Sequence, residues 1–151
     1  MTPLWAQYLM TNNQTLAVAE SCTGGGLAAQ ITSIPGISQV FLGGVVSYSN
    51  AAKSNLLGVS PGVIERSGAV SEAVAIAMAQ GAQRQFGSDF ALATTGVAGP
   101  GGGGAEKPVG LVWMAIATPD SVRAESVIFQ GDRAQIQTSA IGHALGFLPT
   151  S

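Results

Sequence analysis

Between Thr15 and Ser33 a short apolar run enters Ala19-Glu20-Ser21-Cys22-Thr23-Gly24-Gly25-Gly26 and leaves through Leu27, Ala28 and Ile31 at helical spacing. This is the pattern of a strand, a sharp turn and a helix start, and it commits the chain to an α/β arrangement. A turn of this kind exposes side chains beyond a strand end. It also offers the unpaired N–H groups of a helix N-terminus to an anion or a developing oxyanion. Ser21 is therefore a candidate nucleophile. Thr23 is a candidate cap for a helix from about Gly24 to Ser33, and Thr23, Gly24 and Gly25 are candidate substrate-binding residues through their backbone.

The remaining elements follow from periodicity and punctuation. Residues 3 to 12 predict a short amphipathic helix with Pro3 in its first turn. Val40 to Ser47, nearly continuous in apolar residues, predicts a strand buried on both faces. Short helices are expected from Ala51 to Leu57 and from Ser60-Pro61 to Ser67, and a longer one from Ser71 to Phe86, stopped by Gly87. Asp89 to Thr95 predicts a third strand, and Val109 to Thr118 with Val122 to Phe129 a hairpin about Pro119-Asp120. Asp132 and Gln135 have the spacing of a capping box for a last helix to about Phe147. The expectation is one domain over residues 1–151, with an α/β fold: a three-layer α/β/α domain on a mixed sheet of about five strands.

Charge is scarce enough for its position to carry information. Only 9% of residues are charged, against about 25% in ordinary domains. A surface so poor in charge is expected to be covered by a second subunit, giving a homodimer or larger homo-oligomer. Between Met1 and Lys53 the only charged residues are Glu20 and Lys53. A lysine in apolar surroundings has its ammonium form penalised, as a lysine general base requires, so Ser21 and Lys53 form a candidate Ser-Lys pair with Tyr48 nearby to orient the amine or relay a proton. The bland reading stands beside it: a serine before Thr-Gly-Gly as a cap, and a lysine early in a short helix as a solvated residue. Glu20 is a possible ion partner of Lys53, which would oppose a base role.

Other classes are excluded by composition. The six basic residues are scattered and the net charge is −2, unlike the clustered cations that bind nucleic acid. One cysteine, Cys22, and one histidine, His143, leave no zinc ligand set and no internal disulfide, which fits a cytoplasmic setting. Thr11 to Thr15 interrupts the first apolar run, so neither a leader nor a membrane helix is expected. The loop Gly96 to Gly104 lacks the phosphate-loop lysine but supplies a candidate second wall with Thr95, Gly96, Gly99 and Pro100. Arg133 is a candidate phosphate or carboxylate ligand, with an ion pair to Asp132 or Glu125 as the alternative.

Six ordered segments together resemble one family: Ala19 to Gly25, Tyr48-Ser49-Asn50 with Lys53, Gly68-Ala69-Val70-Ser71-Glu72, Gly96 to Pro100, Lys107-Pro108-Val109-Gly110 and Gly131-Asp132-Arg133. The sequence is similar to the C-terminal domain of the CinA competence/damage-inducible proteins, a family that includes stand-alone nicotinamide-nucleotide amidases. Longer members add an N-terminal molybdopterin-binding-like domain that these residues do not contain. The resemblance implies hydrolysis of the carboxamide of nicotinamide mononucleotide to nicotinate mononucleotide and ammonia, in pyridine nucleotide salvage, without cofactor or metal. It places the catalytic serine, tyrosine and lysine on Ser21, Tyr48 and Lys53, with Asn50 among the substrate-binding positions. Activity is not universal in the family. The competing expectation is a catalytically silent nucleotide-binding or partner module in competence or DNA-damage responses.

Overall fold

A computed structural model describes all 151 residues. In chain order the elements are α1 (Leu4–Asn12), β1 (Leu16–Glu20), α2 (Gly26–Thr32), a 3-10 turn (Ile37–Gln39), β2 (Phe41–Val46), α3 (Asn50–Leu57), α4 (Pro61–Ser67), α5 (Glu72–Phe86), β3 (Phe90–Gly96), β4 (Leu111–Ala117), β5 (Val122–Ile128) and α6 (Arg133–Leu145). The sheet has five strands in the order β2-β1-β3-β4-β5. Parallel pairing joins β1 to both β2 and β3, and antiparallel pairing adds β4 and β5. The expected mixed three-layer α/β/α architecture is the one observed.

Side-chain size sets the spacing of the layers. The sheet face toward α5 is almost all alanine, with Ala17, Ala19, Ala91, Ala93, Ala115 and Ala117, and α5 answers with Ala75, Ala79 and Ala82 around Val74 and Met78. Small residues on both sides let the helix lie close against the strands. The opposite face is bulkier: Leu16, Val18, Leu92 and Ile116 pack under Leu9, Leu27 and Ile31 of α1 and α2, and Val112 and Met114 under Ile136, Ala140 and Ala144 of α6. Close approach reaches its limit at Gly81 of α5, where a Cβ would stand 2.1 Å from the Leu57 carbonyl oxygen. Gly81→Ala is expected to destabilise by about 2 kcal/mol despite better helix propensity, lowering the melting midpoint by roughly 4–8 °C. An unchanged midpoint in calorimetry would contradict this packing.

Local chemistry fixes the helix ends that border the site. Ser49 accepts from the Ala52 N–H and Ser71 from the Val74 N–H, while Gly58 and Gly87 take the left-handed conformation that closes α3 and α5. Asp132 and Gln135 form the expected capping box. Two expectations are corrected. The strand over Phe41–Val46 is an edge strand whose residues alternate between half-buried and exposed, with Leu42 and Val46 open to solvent. Its apolar run reflects close approaches instead of burial on both faces: Gly43 accommodates Phe86 and Gly44 accommodates Val18. The helix after the opening turn starts at Gly26, later than expected, because Gly24 and Gly25 adopt φ of 59° and 100°. Thr23 does not cap it.

Candidate active site

The carboxyl ends of β1, β2 and β3 meet at one rim of the sheet. The chain leaves β1 for β2 on one side and returns across it to β3 on the other, the kind of reversal at which open α/β sheets form ligand crevices. A cavity of about 200 Å³ opens there, lined by Ser21, Cys22, Tyr48, Asn50, Lys53, Ala69, Val70, Thr95, Gly96, Ala98 and Arg133. Roomier grooves, among them one of about 530 Å³ along α3 and α4 and one of about 600 Å³ at the start of α6, hold no serine hydroxyl hydrogen-bonded to a basic side chain.

Ser21 and Lys53 meet at the floor of this cavity. Lys53 projects from α3 and is only 1% exposed, and no carboxylate lies within ion-pair distance. Its Nζ stands 3.0 Å from Ser21 Oγ, 2.8 Å from the Ser47 carbonyl oxygen and 3.4 Å from the Tyr48 carbonyl oxygen. Burial holds the amine's pKa below its ordinary 10.5, with the neighbouring Cys22 acting in the other direction. An unprotonated amine has two N–H bonds and one lone pair. While the amine is protonated its third N–H donates to Ser21 Oγ; once it is unprotonated, with both N–H bonds on the carbonyls of Ser47 and Tyr48, its lone pair faces the Ser21 hydroxyl.

Cys22 is the next side chain, and its environment is the opposite of a reactive one. Buried against Ala98, Val112 and Met114, its thiol is pushed up to about 12, chiefly by desolvation.

Arg133, the first residue of α6, closes the mouth. It makes neither of the anticipated ion pairs. Nη1 donates to the Gly99 carbonyl at 2.6 Å and Nη2 to the Tyr48 hydroxyl at 2.9 Å, while Glu125 is engaged by His143 and Arg123. The guanidinium is thereby held by neutral oxygens with its charge uncompensated. Tyr48 meets Lys53 through its carbonyl oxygen, a contact that orients the amine, while its hydroxyl accepts from Arg133 and is not hydrogen-bonded to Lys53 as a relay would be. Thr95 is buried, and its hydroxyl donates to the Ala69 carbonyl at 2.8 Å.

Thr23, Gly24, Gly25 and Pro100 are not on the cavity wall, and Gly99 reaches it through the carbonyl that holds Arg133 at the mouth. The anticipated free amides of α2 are occupied, because the Glu20 carboxylate accepts from the Gly25, Leu27 and Ala28 N–H groups. Glu20 makes neither a hydrogen bond nor an ion pair with Lys53. Ser47 went unnoticed in the sequence because it contributes a carbonyl oxygen, for which no side-chain signal exists. Ala69 and Val70 were visible only as part of a resembling segment.

A buried serine-lysine pair beside an uncompensated arginine now stands next to its relatives. The CinA C-terminal domain family model matches residues 1–151. The chain belongs to the CinA C-terminal domain family. It is 62% identical over 114 residues to a CinA-like protein of Synechococcus sp. (strain RCC307), covering 76% of this chain and 27% of that protein. Among solved structures, the competence damage-inducible protein A of Klebsiella pneumoniae superposes with a TM-score of 0.92 at 35% identity, covering 95% of this chain and 89% of that one. The competence/damage inducible protein CihA of Agrobacterium tumefaciens gives 0.90 at 38% identity, covering 97% and 95%. The chain spans 27% to 35% of the length of the first curated relatives it matches. No helix in this CinA C-terminal domain is long and apolar enough to cross a membrane.

Proposed function

We propose that this CinA C-terminal domain is an amidase that hydrolyses the carboxamide of nicotinamide mononucleotide through an acyl-enzyme on Ser21. The observation that carries the reading is the fully buried Lys53 amine, 3.0 Å from Ser21 Oγ and without an acidic partner. A lysine needed only for stability gains nothing from being desolvated next to a hydroxyl. Burial of this kind produces a base that is unprotonated at lower pH than a surface lysine.

The steps use groups already in place. Lys53 Nζ takes the Ser21 hydroxyl proton as Oγ attacks the carboxamide carbon. The tetrahedral adduct collapses when Lys53 returns that proton to the departing nitrogen, releasing ammonia and leaving an ester on Ser21. Water then attacks the ester, its proton passing to Lys53 and on to Ser21 Oγ, and the carboxylate product leaves. Ala69, Val70, Gly96 and Ala98 offer small walls against which a flat ring can lie, and the Thr95 hydroxyl oxygen is free to accept from the carboxamide.

Arg133 supplies the phosphate end. Its charge is held at the mouth by Tyr48 and Gly99 without neutralisation, the arrangement suited to a mobile anion. Arg133→Gln is expected to raise KM for nicotinamide mononucleotide by roughly 10- to 100-fold, the worth of hydrogen bonds to a charged group. Nicotinamide riboside, which lacks the phosphate, should be turned over equally by parent and variant. An equal loss on both compounds would remove Arg133 from phosphate recognition. The overall reading is tested by ammonia release from nicotinamide mononucleotide, nicotinamide riboside and nicotinamide. Preference for the mononucleotide is the expected result, and release from none of the three would overturn it.

A further inference from the structure

The one fully buried acid takes no part in these proton transfers. Glu20 ends β1 immediately before Ser21, is 0% exposed and forms no ion pair. Burial of a carboxylate is tolerable only with dense hydrogen bonding. Its Oε1 accepts from the Thr23 hydroxyl at 2.6 Å, from the Gly25 N–H at 3.2 Å and from the Leu27 N–H at 2.8 Å, and Oε2 accepts from the Ala28 N–H at 2.9 Å. These are donors at the start of α2, where the helix dipole also favours negative charge. The side chain therefore spans the turn that carries Ser21.

The main chain of the same residue reaches the other half of the catalytic pair. The Glu20 carbonyl oxygen accepts from the Ser47 N–H at 2.7 Å and the Ser47 hydroxyl at 3.2 Å. The Ser47 carbonyl in turn holds Lys53 Nζ. A further tie runs through Thr23, whose hydroxyl lies 2.7 Å from Thr94 Oγ1, while the Thr94 carbonyl accepts the Ser21 N–H at 3.0 Å. Nucleophile and base are thus hung from one residue, by its side chain on one side and its carbonyl on the other.

We propose that Glu20 is a positioning residue that sets the distance between Ser21 Oγ and Lys53 Nζ by pinning the turn between β1 and α2. The inference rests on the reading of Ser21 as the nucleophile. Glu20→Gln replaces one acceptor oxygen by an NH2 group. In one orientation that group meets the Ala28 N–H, and in the other it meets the donors from Thr23, Gly25 and Leu27, so donor faces donor in both. The turn that carries Ser21 must shift, while the facing wall of Ala69, Val70, Thr95, Gly96 and Ala98, and Arg133 at the mouth, make no hydrogen bond to the Glu20 carboxylate.

The test uses two readouts on the folded protein: steady-state ammonia release from nicotinamide mononucleotide, and the rate at which a fluorophosphonate labels Ser21, with Ser21→Ala as the blank. Glu20→Gln is expected to lower kcat and the labelling rate together by about 100-fold, the scale of an ångström misplacement, with KM within about threefold of the parent. Thr23→Val should lower both rates by about tenfold and Thr23→Ser should restore them. The Thr23 pair decides the matter if Glu20→Gln does not fold. Labelling within about threefold of the parent in folded Glu20→Gln, or in Thr23→Val where Glu20→Gln does not fold, would overturn the proposal. So would a lowered melting midpoint with the folded fraction labelling normally, the mark of a merely structural role. A parent that labels at Ser21 without releasing ammonia would refute the substrate and leave the Glu20 comparison readable. A parent that does not label would refute the nucleophile and Glu20's role with it.

Discussion

Ser21→Ala is expected to lower ammonia release from nicotinamide mononucleotide by at least about 10³-fold while leaving the melting midpoint essentially unchanged. The size of the effect follows from the lack of a substitute. Cys22 follows Ser21 in the cavity lining, and burial pushes its thiol up to about 12, so it stays protonated; the Ser47 hydroxyl is committed to the Glu20 carbonyl. The Thr95 hydroxyl is committed to the Ala69 carbonyl. Stability is spared because the missing hydroxyl leaves the Lys53 amine with two carbonyl acceptors, those of Ser47 and Tyr48. Retention of more than a tenth of the parental rate would move the nucleophile away from Ser21.

Lys53→Met carries the second large effect, and it has two readouts of different origin. Turnover should fall by about 10³-fold or more, since a thioether cannot accept the Ser21 proton. In the parent, activity should rise with pH along a limb set by Lys53, centred below 10.5 because burial disfavours the ammonium form. The stability readout has a definite sign. The native lysine pKa is lowered relative to the unfolded chain, so between the lowered value and 10.5 the unfolded state binds a proton that the native state does not. Parental stability therefore rises with pH through that window relative to Lys53→Met, and the difference is flat on either side. Melting midpoints of both proteins across the alkaline range measure it. A parallel pH dependence would mean that the amine is solvated and unsuited to act as base.

The parts of this fold legible in sequence are those fixed by neighbours along the chain. Ser49, Ser71 and the Asp132/Gln135 box cap their helices as local spacing predicts. The Ser21–Lys53 pair was visible because charge is almost absent before Lys53, so a lone lysine after an apolar strand stood out. Most of what escaped was decided across the chain. Phe41–Val46 reads as a central strand, yet strand order places it at the edge, and its two glycines serve Phe86 and Val18. Thr23 occupies a capping position by spacing, but the Glu20 carboxylate, seven residues before Leu27, reaches the helix amides instead. Tyr48 stands near Lys53 in sequence, while its hydroxyl is claimed by Arg133, 85 residues away. The edge position and the Tyr48–Arg133 bond depend on residues far along the chain, whereas the Glu20 cap is local and depends on Gly24 and Gly25 turning the backbone through positive φ.

The acyl-enzyme proposed on Ser21 is open to direct observation. The protein is mixed with nicotinamide mononucleotide, quenched in acid within the first turnover, digested and weighed by mass spectrometry. The peptide containing Ser21 is expected to gain the mass of the substrate less ammonia, a gain absent in Ser21→Ala and lost as product accumulates. Ammonia released at the full rate with no adduct at any time, and undiminished in Ser21→Ala, would contradict an acyl-enzyme at this residue.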